Sequence, residues 1–95
     1  MLMLETEITN STMTEEAAAL LMENIKFFIR TPKGSLPLMR GYGFDYSIID
    51  EPFQIFRTKA TVDIVTGIRN YYGVTLNTID IKADENGNIA IKISI

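Results

Sequence analysis

The sequence predicts an α+β domain: two main helices packed on a small antiparallel sheet that ends in a C-terminal β-hairpin. Three observations carry that expectation. Apolar residues recur at three- and four-residue steps in two separate stretches, the spacing of a helix with one buried face. Asn86-Gly87 stands between two apolar runs and is a strong short hairpin signal. Beyond it Ile89, Ile91, Ile93 and Ile95 alternate strictly with Ala90, Lys92 and Ser94, the two-residue period of a strand. At 95 residues the chain can bury one core and not two. The division expected is an N-terminal arm, 1–10, and a single domain over 11–95.

Residues 1–10 show no sustained period and read as the arm. The first helix should begin near Thr12 or Thr14. Thr12 and Glu15 have capping-box spacing, and Glu15 and Glu16 suit the positive end of a helix dipole. Ala18, Leu21, Met22, Ile25, Phe28 and Ile29 draw its apolar stripe, with Glu16, Glu23, Lys26 and Arg30 falling mostly away from it. Pro32 disfavours helical geometry at Thr31, so this helix should stop near Arg30. The second helix starts after Asp50 or Glu51 as cap, with Pro52 in its first turn, or later near Thr58. Ile64, Val65, Ile68 and Tyr72 form its stripe, and Gly73 is a suitable left-handed terminator. Gly67 inside a helix costs about 1 kcal/mol relative to Ala, which predicts a close contact there. Phe28 and Ile68, one from each helix, should be buried against the isoleucine face of the hairpin. Val74 and Leu76 share one parity while Ile79 and Ile81 take the other. A first strand over Val74–Lys82 should therefore bulge or bend at Asn77-Thr78. Asn86-Gly87 should form a primed turn.

Between the helices lies TPKGSLPLMRGYGFDYSIIDEP, residues 31–52, holding all three prolines and three of the six glycines together with many apolar side chains. A connection of about twenty residues is unusual in a compact domain and is often functional. Gly34, Gly41 and Gly43 permit turns, while Leu36, Leu38, Tyr42 and Phe44 can anchor the loop on the helices. A self-packed loop and a partner-docking surface are both compatible with this pattern. Asp45 is placed to cap a short turn over 46–50. Arg40 is the only basic residue between Lys33 and Arg57, a candidate partner contact or an internal bridge to Asp45 or Asp50.

Composition removes most chemistry. With no cysteine there are no disulfides, thiol nucleophiles or Cys-based zinc sites. With no histidine the usual general base and the commonest metal ligand are missing. A net charge of −3, a pI near 4.8 and nine scattered Lys and Arg residues argue against nucleic acid. No apolar run approaches the ~18 residues of a spanning helix, and the start lacks the basic region of a signal peptide. Gly41-Tyr42-Gly43 opens a G-x-G, but Tyr46 stands at the third glycine position. Asp84 to Asn88 lacks the ligand spacing of a calcium loop. Asp45, Asp50 and Glu51 lie among aromatic residues as a glycosidase pair would. However, adjacent Asp50 and Glu51 point in different directions, and both aspartates suit caps. The expectation is a non-enzyme without cofactors.

Thr31-Pro32-Lys33-Gly34, Pro37-Leu38-Met39-Arg40, Tyr42-Gly43 and Ile49-Asp50-Glu51-Pro52 form an ordered set. Together with its surroundings, from about Glu15 to Ile95, it resembles the small baseplate wedge family of contractile phage tails. These are the W-type or lysozyme-like tail proteins, with a counterpart in type VI secretion baseplates. Val74-Thr75-Leu76-Asn77-Thr78-Ile79-Asp80-Ile81 resembles that family's V-x-L-x-x-V-x-V hairpin pattern. There is one departure: Tyr71-Tyr72-Gly73 stands where many members carry Glu-Pro-Arg.

The resemblance implies a structural protein of the virion tail baseplate, assembled in the bacterial cytoplasm. Its partners would be other baseplate wedge proteins and tail sheath subunits, with no nucleic acid, membrane or small-molecule substrate. Relatives look like the seed on which sheath subunits assemble by strand addition. The candidate partner-binding residues are Arg40, Tyr42 and Phe44 in the middle segment and Ala90, Lys92 and Ser94 on the last strand. Ile95 is the last residue and Lys92 the one charge on that strand, so its edge is expected to be open. The other possibility is that Met1 to Ile8 covers it. Competing functions are a small regulatory adaptor on the same fold and, less favoured, a peptidoglycan-cleaving glycosidase.

Overall fold

A computed structural model describes residues 4–10 and 13–95. In chain order the elements are β1 (Leu4–Thr9), α1 (Glu15–Arg30), a 3₁₀ turn (Tyr46–Ile48), α2 (Phe53–Tyr72), β2 (Thr78–Ala83) and β3 (Ile89–Ser94). The class is α+β, and β2 and β3 form the antiparallel C-terminal hairpin expected from the sequence.

Helix α1 is capped by Thr14, whose hydroxyl oxygen accepts from the Ala17 N–H at 3.4 Å. The Thr12 alternative lies outside the described residues. The apolar stripe packs inward: Ala18, Leu21, Ile25, Phe28 and Ile29 are buried and Met22 is half-buried. Thr31 leaves the helix in extended geometry, as the residue before a proline should. Its hydroxyl donates to the Phe27 carbonyl at 2.6 Å.

Helix α2 begins at Phe53 with Pro52 at the N-cap position and no side-chain cap. Neither Asp50 nor Glu51 caps it; Glu51 instead accepts from Lys59 of the same helix at 2.7 Å. Gly73 ends the helix at φ 68°. Gly67 supplies the expected close contact: a Cβ there would stand 2.2 Å from Cζ of Phe28. The missing side chain is what admits the Phe28 ring. Phe28 and Ile68 are both buried.

The N-terminal arm is a correction. Leu4–Thr9 is a full strand, parallel to β3, with Leu4 opposite Ile89 and Thr9 opposite Ser94, and the strand order is β1-β3-β2. The segment therefore belongs to the domain, and the sheet is mixed. Leu4, Thr6 and Ile8 stand beside Ile89, Ile91 and Ile93 on the core face, while Glu5, Glu7 and Thr9 are exposed. A two-residue period over six positions suffices once β3 supplies its ladder bonds; alone it is too short to declare itself.

The hairpin also departs in detail. Val74 to Asn77 lie outside β2, with Leu76 buried and the Asn77 N–H donating to the Ser94 carbonyl at 2.9 Å. The turn is not primed. Only Gly87 has positive φ, 84°, and Gly87 N–H donates to Asp84 O at 3.2 Å. That is the three-residue loop with a glycine bulge. Asp84 stabilises it from the side, its carboxylate accepting from the N–H groups of Asn86 at 2.8 Å and Asn88 at 2.9 Å. These bonds, the Asn88 amide first, hold the Asp84 carboxyl below the usual carboxylate range. Its contribution to stability is thus present above that range and lost as pH falls through the lowered value. Urea midpoints should drop more between pH 7 and pH 3 for the wild type than for Asp84→Ala; equal drops would show that the turn carboxylate carries no linkage.

The middle segment closes on itself. Lys33 N–H donates to Phe44 O at 2.9 Å and Phe44 N–H to Thr31 O at 2.8 Å, which staples the ends of the loop. Gly43, at φ 112°, sits where a Cβ would meet the Thr31 carbonyl at 2.3 Å. Asp45 caps the 3₁₀ turn as expected, accepting from Ser47 N–H at 3.0 Å. The Tyr46 hydroxyl donates to the Ile29 carbonyl at 2.6 Å, tying this turn to the end of α1.

Candidate functional site

Six residues were expected to meet a partner; the fold buries two, takes the backbone of three into the sheet, and leaves Arg40 exposed on a loop. Tyr42 and Phe44 are core residues, 3% and 0% exposed. Tyr42 packs edge-on against Phe28 and Tyr71 at ring distances of 5.0 Å, and Phe44 against Tyr46 at 5.1 Å. They fix the loop to the helices and present nothing to a partner. The reason is the staple between Thr31 and Phe44, which turns their side chains inward.

Ala90, Lys92 and Ser94 belong to the central strand. The Asp84 N–H donates to the Asn88 carbonyl, so antiparallel alternation points the backbone groups of Ala90, Lys92 and Ser94 at β2. The Ile95 N–H donates to the Thr9 carbonyl, so the odd-numbered positions of β3 serve β1. No open edge remains on β3. On its solvent face Lys92 lies in register between Glu7 of β1 and Asp80 of β2.

Arg40 is exposed on the loop and, among the described residues, pairs with neither Asp45 nor Asp50. Leu38, expected to anchor the loop, is 98% exposed at its tip. Met39, Phe27 and Tyr71 are substantially exposed as well. Tyr42 links three of them, 5.9 Å from the Phe27 ring, 5.0 Å from that of Tyr71 and donating its N–H to the Met39 carbonyl. Gly41 faces the Tyr71 hydroxyl at 2.8 Å from where its Cβ would be. The hydroxyls of Tyr42 and Tyr72 hydrogen-bond to each other. Burial, reinforced by that bond, pushes the Tyr42 phenol well above its usual range, so it stays protonated.

Carboxylates meet elsewhere. Asp45, Glu51 and Asp63 line one shallow groove with Lys59. Each is already engaged: Asp63 pairs with Lys33 and accepts from Asp45 N–H at 3.0 Å, and Glu51 pairs with Lys59. The Ser47 hydroxyl, with Lys33 and Lys59 nearby, holds Asp45 below the usual carboxylate range. A glycosidase acid needs the opposite shift. Among the described residues no three acidic side chains converge as a metal site would require.

No family model, curated protein or solved structure matches this chain.

Proposed function

We propose that this chain is a structural, non-catalytic component of a baseplate wedge in a contractile tail or tail-like injection system. In this reading it binds neighbouring wedge proteins and seeds the sheath by strand addition at the outer edge of β1. Two things support it: the ordered motif set of residues 31–52, and the geometry of that edge. The edge is the observation that carries the mechanism. Parallel alternation turns Glu5, Glu7 and Thr9 toward β3, so the backbone N–H and C=O groups of Leu4, Thr6 and Ile8 point outward. A sheath strand placed there would form a fourth strand beside the half-buried row Leu4, Thr6 and Ile8, with main-chain bonds supplying affinity. Glu5 and Glu7, exposed on that strand, oppose pairing of two copies of this chain and favour a strand carrying Lys or Arg.

Thr6→Pro tests this, because it removes an outward N–H and no ladder bond. The variant should keep its fold, losing less than about 1 kcal/mol by urea denaturation, and should fail to nucleate sheath polymerisation. Sheath of normal length assembling on Thr6→Pro would sink the strand-addition mechanism.

A further inference from the structure

Five of the nine basic residues fall in two acid-free windows of the chain. No acid occurs from Asn24 to Phe44, which holds Lys26, Arg30, Lys33 and Arg40, or from Ile64 to Ile79, which holds Arg69. These two acid-free windows are the ones that meet at the aromatic patch, through Phe27, Phe28 and Tyr42 on one side and Gly67, Tyr71 and Tyr72 on the other. The remaining chain carries four basic residues against all twelve acids. The chain of net charge −3 is therefore made of windows with formal charge +5 and a remainder of −8.

Of these five, Lys33 alone among the described residues has a carboxylate partner, Asp63. Among the described residues Lys26, Arg30, Arg40 and Arg69 are exposed and form no ion pair. Arg30 and Arg69 also suit the last turns of their helices. Arg40, on a loop, has no such role.

We propose that the surface where these windows meet docks an acidic segment of a partner protein, with apolar side chains of that segment seated on the patch. Phe27, Met39 and Tyr71 around Tyr42 provide the apolar centre, and Leu38, 98% exposed and next to Met39 in the chain, adds to it. Arginines and Lys26 provide the rim. Aromatic residues, Met and Arg are the types enriched where proteins meet, and acids are depleted there. That composition favours a protein over a bilayer, for which one fully exposed leucine gives little insertion. It also favours a protein over a duplex, whose contacts are mainly to phosphate. The proposal does not depend on the baseplate reading, since the strand edge at β1 is a separate surface.

The probe is a fluorescein-labelled peptide alternating glutamate with leucine, with a lysine-for-glutamate version as control. The glutamate peptide should bind with rising anisotropy, weaken as salt is added, and shift amide NMR signals of residues 38–41 and 69–72 while leaving those of 84–88 unmoved. Arg40→Glu and Leu38→Ser should each weaken binding by about tenfold or more at unchanged melting temperature. Equal binding of the lysine peptide, no binding, or indifference to Arg40→Glu overturns the proposal. So does tighter binding to phosphatidylserine vesicles or to a DNA duplex, which would assign the surface to lipid or nucleic acid. Self-association that Arg40→Glu abolishes would overturn it in favour of a second copy.

Discussion

Lys92→Pro should unfold the domain. Lys92 lies at the middle of β3, and among the described residues β3 is the one strand paired on both sides. Its N–H serves the ladder with β2, opposite Asp80. Proline removes that donor and pushes its ring against the neighbouring strand, at about 3 kcal/mol or more. The isoleucines on either side, Ile91 and Ile93, are 0% and 2% exposed, so the disturbance falls inside the core. Stability of roughly 0.05–0.15 kcal/mol per residue leaves a domain this small little reserve. The expected result is loss of the far-UV signal of the native state, or a urea midpoint too low for function at physiological temperature. Thr6→Pro, on the edge strand, should leave both nearly unchanged. A wild-type midpoint for Lys92→Pro would mean that β3 does not carry two ladders. The contrast also separates two assembly failures, since a sheath lost with Lys92→Pro reports unfolding and one lost with Thr6→Pro reports the edge.

Much of this fold is written locally. The stripe on α1, the stop at Thr31 before Pro32, the left-handed end at Gly73 and the isoleucine alternation of β3 each depend on residues close in sequence. So does the Asp45 cap. What was hidden depends on distant partners. Leu4 to Thr9 has strand-like alternation, but only the pairing of Thr9 with Ser94, at the far end of the chain, makes it a strand. The primed turn failed because Asp84 offers three backbone or side-chain donors a better site, with Asn86 kept at negative φ. The candidate site was hidden in the same way. Tyr42 and Phe44 anchor the loop on the helices as their apolar character suggests, and the staple at Thr31 and Phe44 buries them too deeply to serve also as partner contacts. Leu38, in the turn closed by Met39 N–H on the Leu36 carbonyl, is left in solvent. The acid-free windows were legible in the sequence; that they meet was not, because their contact runs through aromatic rings forty residues apart in sequence.

Phe28→Ala should cost about 3–5 kcal/mol, the range for a buried aromatic truncated to a methyl group. The ring is 1% exposed and sits between Tyr42, edge-on at 5.0 Å, and Gly67. Gly67→Ala tests the same contact from the other side, with an opposing term that makes the sign informative. In an ordinary helix interior alanine is better than glycine by about 1 kcal/mol. Here the new methyl would stand 2.2 Å from Cζ and 2.7 Å from Cε2 of Phe28. The ring has little room to retreat: Tyr42 is behind it, held by its hydroxyl bond to Tyr72, and Tyr71 lies 6.5 Å away. Overpacking of this kind costs about 1–3 kcal/mol, so Gly67→Ala should lower stability despite its better propensity. Combined with Phe28→Ala, the methyl enters the space that the ring vacated, and the same substitution should become stabilising. Urea denaturation of the wild type, the two single variants and the double variant closes the cycle. A change of sign for Gly67→Ala between the two backgrounds is the expected signature. If alanine at 67 stabilises the protein with Phe28 in place, the ring moves freely and the close approach of α1 to α2 does not depend on this glycine.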